Sequence, residues 1–330
     1  MASSSRIVET EGPISLGKNP DIIEVGSSSR ANSRIVQERS PSRQFIRYNK
    51  IIGKGTSKVI FEGLDTLNGI LVAWNKIMVT NVDLKKKGSV ENCCGEPKLL
   101  QTLDHENIIK CYCFWISKDR TFINMITDLA SSKSLSNYRR SHELVGNVTA
   151  MSAIKGWCRQ ILSASEYLHN RTPVIIHRDV KGENILIDGV SGKIKLADFG
   201  VAVPFAGETD DVAGTLSYMS AEDLNGEQSE KSDIYAFGMC LLQMMTKDPV
   251  YSECRSEYEL LGKIKSGVKP ADLYLVQDKM VKKFIEKCLA KASKRPSATD
   301  LLKHPFLAET TKPAWLRSLR KLSLTRRSSS

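Results

Sequence analysis

The sequence predicts an α+β protein in which a small, β-rich lobe is followed by a larger, mainly α-helical lobe. Short apolar runs separated by turn residues fill the chain from Tyr48 to about residue 130. Beyond that point, apolar residues recur at helical spacing. No segment repeats at a fixed period, which argues against a solenoid or a propeller. The predicted order is therefore strands first and helices second.

The strands of the small lobe are bounded by turn residues. Residues 49–63 have the pattern of a strand, a glycine loop and a second strand. Asn68-Gly69 is a hairpin signal, and a third strand is expected at residues 70–79. Two more strands are expected at residues 111–116 and 121–129, with a polar turn between them.

The large lobe begins with a helix at residues 153–169, whose apolar positions form one stripe. Two short strands are expected at residues 184–187 and 193–196, on either side of Asp188-Gly189. Further helices are predicted at residues 231–246, 257–265 and 278–290. We divide the chain into a Ser/Arg-rich segment expected to be mostly disordered, the two lobes, and a basic tail, at residues 1–44, 45–130, 131–307 and 308–330.

Composition restricts the class of protein. The 330 residues carry a net charge of +11, and no apolar run is long enough to span a bilayer. No secretory signal is recognisable, so we expect a cytoplasmic protein, with the nucleus as an open alternative. The basic tail has the charge to touch acidic surfaces, although a solvated tail is the simpler interpretation. The body lacks the aromatic and basic pattern of specific nucleic-acid binding. The eight cysteines match neither a disulfide framework nor a zinc site.

Three motifs in a fixed order indicate phosphoryl transfer. The glycines of Gly53-Lys54-Gly55 would let the backbone lie close over the phosphates of a nucleotide. Residues 177–184 read H-R-D-V-K-G-E-N and match the catalytic loop of protein kinases at every fixed position. The sequence D-F-G follows at residues 198–200. Asp179 would accept or orient the proton of a substrate hydroxyl, and Lys181 would neutralise charge on the phosphoryl group. Asn184 and Asp198 supply the oxygen ligands that Mg²⁺ prefers.

Four further residues fit the sequence pattern of a protein kinase. Together with Lys181, Thr215 is expected to position a serine or threonine acceptor. A structural ion pair is expected between Glu222 and Arg295. Asp233 is expected to be a buried acid that holds the backbone of the catalytic loop.

The lysine that normally anchors ATP is absent from the third strand. Residues 72–75 read V-A-W-N, so Asn75 occupies the lysine position. Because side chains alternate along a strand, Asn75 should face the nucleotide with Ala73, and Lys76 should point the other way. Lys58 takes the place of the third glycine of the loop, and its spacing alone fits a phosphate ligand and a solvent-facing lysine equally.

Residues 48–307 resemble the with-no-lysine (WNK) protein kinases, especially their plant branch. The stretches that carry the resemblance are residues 53–58, 72–75, 105–110, 233–240, 251–254 and 284–289. The resemblance implies a bilobal kinase fold, ATP with Mg²⁺ as cofactors, and a catalytic lysine in the glycine loop, at Lys58. It implies Thr127 as gatekeeper and Asp128, Leu129 and Ala130 as the hinge that binds adenine. It also implies ATP contacts from Gly53, Gly55, Thr56, Ile60, Ala73, Lys181 and Leu186.

Among the places where the sequence departs from the family pattern, two concern the expected partners of Lys58 and Arg178. Glu96 aligns with the glutamate that should pair with the lysine, but Pro97 follows it. Since proline is tolerated only in the first turn of a helix, we expect this helix to begin near Pro97 or to be kinked there. Asp211 falls where relatives carry an activating phosphoserine, and we expect it to offer a standing negative charge to Arg178.

Two functions are compatible with these residues. The first is a non-specific serine/threonine protein kinase that transfers the γ-phosphoryl group of ATP to protein hydroxyls. The second is a pseudokinase scaffold that keeps the fold without turnover. Three features favour it, namely Pro97, the sequence S-A-E in place of A-P-E at residues 220–222, and the loss of the third glycine. The intact set of Asp179, Lys181, Asn184 and Asp198 favours the enzyme, because a scaffold has no chemical need for it.

Overall fold

The computed structural model describes residues 34–129, 134–141, 148–189, 191–204, 212–246 and 248–308. Its largest sheet contains six antiparallel strands in the order β1-β2-β3-β4-β6-β5. These strands are β1 Val36–Arg39, β2 Phe45–Lys54, β3 Lys58–Asp65, β4 Ile70–Met78, β5 Cys111–Ile116 and β6 Phe122–Asp128. The sheet confirms the five strands predicted for the small lobe, with boundaries that shift by a few residues.

Strand β1 lies inside the segment for which no regular structure was expected, so the folded region starts before residue 45. The strand has four residues, too few to show a periodic pattern. The strand is held by its pairing with β2. Its Glu38 side chain also accepts hydrogen bonds from Arg47 at 3.1 Å and from Lys76 at 3.4 Å. No local sequence pattern could predict β1, because the residues that pair with it lie on other strands.

The predicted turn between β3 and β4 is present. Gly69 has a φ of 66°, a left-handed conformation that favours glycine, and its N–H donates to the carbonyl of Asp65 at 2.8 Å. The Asp65 carboxylate accepts hydrogen bonds from the backbone of Leu67 and the side chain of Asn68. This turn fixes the register in which Ile60 pairs with Asn75.

Helices dominate the remainder of the described chain. They are α1 Asn81–Lys87, α2 Gly95–Gln101, α3 Leu135–Ser141, α4 Val148–His169, α5 Glu230–Met245, α6 Glu257–Lys265, α7 Lys279–Cys288 and α8 Ala298–Leu302. Short 3₁₀ turns lie at Asn92–Cys94, Leu216–Tyr218, Asp223–Asn225, Ala271–Leu275, Ala292–Lys294 and Pro305–Leu307. Two small antiparallel pairs complete the described elements, β7 Ile175–Ile176 with β10 Val203–Pro204 and β8 Ile185–Ile187 with β9 Ile194–Leu196.

The core of the large lobe forms around α4 and α5. Helix α5 is buried along most of its length, as expected for a helix that is apolar on all sides. It begins at a capping box in which Ser229 and Ser232 exchange side-chain and backbone hydrogen bonds. Gly238 lets α7 approach, since a β-carbon there would lie 2.6 Å from that of Cys288. This packing holds Asp233, near the start of α5, against the segment that follows β7.

Candidate active site

A cleft of about 1240 Å³ lies between the large sheet and the helical part of the chain. The hairpin joining β2 and β3 covers it, β4 and α2 form its inner wall, and β8 contributes to its floor. The cleft brings together most of the side chains predicted to bind ATP, namely Gly53, Gly55, Thr56, Lys58, Ile60, Ala73, Thr127, Asp128, Leu129 and Leu186. Lys181 borders a neighbouring pocket instead, and Ala130 lies outside the described residues.

Lys58 begins strand β3, and its side chain points into the cleft. Its Nζ lies 3.2 Å from Oε1 of Glu96 and 3.8 Å from Oδ1 of Asp198. Burial by itself would lower the pKa of Lys58, but the two carboxylates outweigh it and raise that pKa above its ordinary value. Lys58 is therefore a fixed positive charge at the inner end of the cleft.

Asn75 and Lys76 lie on opposite faces of β4, as strand alternation predicted. The buried amide of Asn75 donates to Oγ1 of Thr127 at 3.1 Å and to the carbonyl of Met125 at 3.2 Å. Lys76 reaches the other face, where its Nζ bonds Glu38 and lies 4.7 Å from the ring centroid of Phe122. Lys76 is thus excluded as a ligand for a nucleotide in the cleft.

Helix α2 positions Glu96 despite the proline beside it. The helix begins at Gly95, after the 3₁₀ turn Asn92–Cys94, and Pro97 lies in its first turn. The first N–H groups of a helix have no intrahelical acceptor, so proline removes no helical hydrogen bond there. The expected late start is confirmed, and Glu96 reaches Lys58 from the same turn.

The catalytic-loop residues form a connected polar group. Asp179 Oδ1 accepts a hydrogen bond from Thr215 Oγ1 at 2.6 Å, and its Oδ2 lies 2.7 Å from Lys181 Nζ. Lys181 also donates to Thr215 at 2.7 Å, and Asn184 Nδ2 donates to Asp179 Oδ2 at 2.8 Å. Burial would raise the pKa of Asp179, but these donors outweigh it and lower that pKa below its usual range. Asp179 is therefore ionised at neutral pH.

Two residues of this region have left-handed backbone conformations that are rare outside glycine. Arg178 has a φ of 65° and Asp198 a φ of 63°. Such residues cluster at active sites, where neighbouring contacts hold them in place. The side chain of Arg178 donates to the carbonyl of Val201 at 2.6 Å and to Gln228 at 3.3 Å. Asp211, its expected partner, lies outside the described residues.

Asp233 holds the backbone before the catalytic aspartate, as expected. Its carboxylate accepts from the N–H of His177 at 3.0 Å and from the N–H of Arg178 at 2.9 Å. No sequence pattern predicted that His169, at the end of α4, lies 2.8 Å from the same carboxylate. Gly214 was missed as well. A β-carbon there would lie 2.4 Å from the carbonyl oxygen of Arg178, so only glycine permits this approach.

The predicted pair of Glu222 and Arg295 is present. Arg295 is almost fully buried and donates to Glu222, to the carbonyl of Lys231 at 2.7 Å and to the carbonyl of Ala290 at 2.8 Å. The pair thus connects the turn after Thr215 with α5 and the end of α7.

The carboxylate of Asp128 has a network of its own that the sequence did not reveal. It accepts from the phenol of Tyr112 at 2.8 Å and from the N–H of Lys110 at 2.9 Å, and it lies 2.8 Å from Lys195 Nζ. Lys195 belongs to β9, so this network fastens the end of β6 to the helical part of the chain. It also occupies the Asp128 side chain, leaving backbone groups to face the cleft.

Comparison with known proteins agrees with this site. The sequence profile of the protein kinase domain matches residues 46–307. The chain belongs to the protein kinase family. Among the described residues, no helix is long and apolar enough to cross a membrane.

Plant relatives confirm the resemblance to the with-no-lysine branch. The chain is 42% identical over 272 residues to the probable serine/threonine-protein kinase WNK9 of Oryza sativa subsp. japonica, covering 82% of this chain and 64% of that protein. It is 41% identical over 285 residues to the serine/threonine-protein kinase WNK8 of Arabidopsis thaliana, covering 86% and 50%. The kinase domain thus spans between half and about two-thirds of the length of these relatives.

A solved structure confirms the fold. Rad53 residues 1–466, crystallised in complex with AMP-PNP, superposes with a TM-score of 0.65 at 24% identity, covering 81% of this chain and 66% of that one. The predicted bilobal kinase fold, with a small β-rich lobe and a larger helical lobe, is therefore correct.

Proposed function

We propose that this chain is a serine/threonine protein kinase that transfers the γ-phosphoryl group of ATP to hydroxyl groups of proteins. The observation that carries this proposal is the arrangement of Asp179, Lys181 and Thr215, each hydrogen-bonded to the other two. A hydroxyl acceptor needs an ionised base, a nearby positive charge and a group that orients it, and this trio supplies all three. A scaffold without turnover would have no use for them.

Lys58 is proposed to anchor the nucleotide. It contributes the positive charge in the cleft that kinases use for the α- and β-phosphates, and Glu96 fixes its position. The glycine hairpin closes over the same region and would exclude water from the phosphates. Asn75, at the usual lysine position, is neutral and hydrogen-bonded to the strand beside it, so it leaves room for Lys58.

The residues present fit a Mg²⁺ ion. Asn184 uses its amide nitrogen on Asp179, which leaves its carbonyl oxygen available, and the carboxylate of Asp198 is half exposed. Hard oxygen ligands of this kind suit Mg²⁺, and Asn184 with Asp198 would hold it. A bound Mg²⁺ would neutralise negative charge on the phosphates. Asp179 would then take up or orient the acceptor proton, and Lys181 would balance charge beside it.

A phosphorylation assay on a general protein acceptor tests the proposal. The wild-type chain should label serine or threonine of myelin basic protein from γ-labelled ATP with Mg²⁺, and Asp179→Asn should abolish labelling while nucleotide binding persists. Wild-type binding of ATP without labelling would instead support the scaffold. The matched control is Asp188→Asn, which changes an aspartate in the turn between β8 and β9, away from the cleft.

Cellular location and partners beyond the substrate are also proposals. We propose that the kinase acts in the cytoplasm on protein substrates, and that the basic tail at residues 308–330 is solvated, with contact to acidic surfaces as the alternative. Comparing the cellular distribution of the full chain with that of a chain lacking residues 308–330 tests whether the tail is solvated or contacts acidic surfaces. An unchanged distribution would argue for a tail that is merely solvated.

A further inference from the structure

A second pocket, of about 450 Å³, borders the catalytic trio. Side chains from α3, the catalytic loop, the segment after Thr215, and the end of α5 and the loop after it line this pocket. Lys181 and Thr215 belong to its wall, so the pocket opens directly beside the place where an acceptor hydroxyl would lie. We call it the arginine pocket, because its outer wall carries Arg139 and Arg140.

The arginine pocket lies within reach of a substrate residue next to the acceptor. An extended peptide advances about 3.3 Å per residue, so a side chain within about three residues of the acceptor reaches any group some 10 Å away. The trio fixes the acceptor, and the pocket shares two of its three residues. A side chain of the same peptide is therefore within reach of the arginine pocket.

The two arginines lack a carboxylate partner in the parts of the chain that the structure describes. Arg139 donates to the carbonyl of Thr246, and Arg140 donates to the side-chain carbonyl of Asn137. Burial lowers the pKa of Arg139, and the adjacent positive charge of Arg140 lowers it further, whereas Asp248 and Asp272 act in the opposite direction. Asp248 and Asp272 thus offset part of the charge of Arg139, and the exposed Arg140 is the guanidinium group placed to meet an anion.

The other charged and polar side chains that line the pocket leave Arg140 without an ion pair in the described structure. Lys181 is balanced by Asp179. Glu183 lies on the pocket wall, exposed, and forms no ion pair with Arg139 or Arg140 in the described structure. Tyr218 donates to Gln243 at 2.7 Å, so the far wall is neutral. The positive charge that the pocket presents is therefore that of the exposed Arg140, which forms no ion pair with a carboxylate in the described structure.

We propose that the arginine pocket selects protein substrates that carry an acidic or phosphorylated side chain within about three residues of the phosphorylated Ser or Thr. The proposal rests on the kinase function proposed above and adds a substrate class to it. Arg140, which is exposed and outside the catalytic trio, is the residue that decides the preference. Arg139 supports it from a more buried position.

The test is a positional scan with peptides. Each of the three positions on either side of the acceptor is set in turn to Glu, phosphoserine, Ala or Arg, and kcat/KM is measured for each peptide. The wild type should prefer Glu or phosphoserine over Ala at one position by about fivefold or more, as expected for about 1 kcal/mol of charge pairing. Arg140→Glu should reverse the preference toward Arg, and Arg140→Lys should keep it.

Two controls separate charge selection from damage to the fold. Arg255→Glu changes an exposed arginine that does not line the arginine pocket and should leave the scan unchanged. For Arg140→Glu the preference is scored as the ratio of kcat/KM for the Glu peptide to that for the Ala peptide, so a uniform change in activity does not affect it. Melting temperatures of both variants should match that of the wild type.

The remaining outcomes are decisive as well. A wild-type preference for Arg, abolished by Glu183→Gln, would overturn the proposal and assign the pocket to Glu183. Equal rates for all four residues at every position would overturn it while leaving the kinase function intact. Failure of the wild type to label any peptide or myelin basic protein would overturn both.

Discussion

The Nζ atom of Lys58 lies 3.2 Å from Oε1 of Glu96, although 38 residues separate the two in the chain. The side chain of Lys58 is 22% exposed and that of Glu96 11%, so neither is well screened by water. Strand β3 supplies the lysine and α2 supplies the glutamate. In most protein kinases the lysine of this ion pair lies on the strand that corresponds to β4, whereas in this chain it lies on β3.

Lys58→Met should reduce kcat/KM by about a hundredfold or more, since it removes the preorganised charge that we propose holds the α- and β-phosphates. The kinase assay on myelin basic protein measures this. Lys76→Met is the matched control, because Lys76 occupies the opposite face of β4, and it should keep activity near the wild-type value. Loss of activity in Lys76→Met with retention in Lys58→Met would reverse the assignment of the anchoring lysine.

Pro97→Ala should leave kcat within about threefold of the wild type, because the ring replaces an N–H that has no helical partner. The buried ring loses apolar contact, so the free energy of unfolding should fall by about 1 kcal/mol. Leu99→Pro, two positions later, should cost roughly 3 kcal/mol. Urea unfolding measures both. A cost for Pro97→Ala as large as that for Leu99→Pro would mean that the ring defines the helix start.

Thr215→Ala should lower kcat by roughly tenfold to a hundredfold, because Asp179 and Lys181 each lose a hydrogen bond in a charged group. Thr215→Ser keeps the hydroxyl and should retain most of the activity. Steady-state kinetics with ATP held at saturation separate kcat from KM for the acceptor. Equal losses for alanine and serine would point to the methyl group rather than the hydroxyl.

Arg295→Met should destabilise the fold by about 3 kcal/mol, because it leaves Glu222 and two backbone carbonyls without their donor. Arg120→Met removes a comparable ion pair with Glu91 whose side chains are more than half exposed, and it should have little effect. Urea unfolding compares the two. Similar stabilities for both variants would contradict a structural role for the buried pair.

Stability should fall as the pH drops from 7 toward 5. Burial lowers the pKa of His177, and hence the folded chain binds a proton at that site less readily than the unfolded chain, whose histidine pKa is about 6.5. The stabilisation is present above the unfolded pKa and is lost as the pH falls toward the folded pKa. His105 and His304 act in the same direction for the same reason.

The measurement for this pH effect is a titration of the imidazole resonances by NMR, combined with urea unfolding at each pH. The His177 signal should titrate below pH 6.5, and the free energy of unfolding should rise with pH through that window. A His177 resonance that titrates at or above 6.5 would contradict the burial argument. Its neutral form agrees with the hydrogen bonds, since Nε2 donates to the Ala197 carbonyl and Nδ1 accepts from the Asp179 N–H.

By itself, the sequence determined the fold and the order of its parts. Turn residues and apolar periodicity are local, so β4, β5, α4 and α6 fall within a few residues of their predicted bounds. The H-R-D-V-K-G-E-N segment and the D-F-G sequence identified a kinase because their spacing is rigid. Strand alternation is local too, and it correctly placed Lys76 away from the cleft.

Only the tertiary structure decided which side chains meet. From its spacing, Lys58 was equally compatible with a position in solvent and one in the cleft, and Pro97 left the position of Glu96 open. The packing of α2 against the sheet brings Lys58 and Glu96 together. Strand β1, the network around Asp128 and the contact of His169 with Asp233 escaped prediction for one physical reason. Each joins residues far apart in the chain, and no local pattern records a contact that exists only after folding.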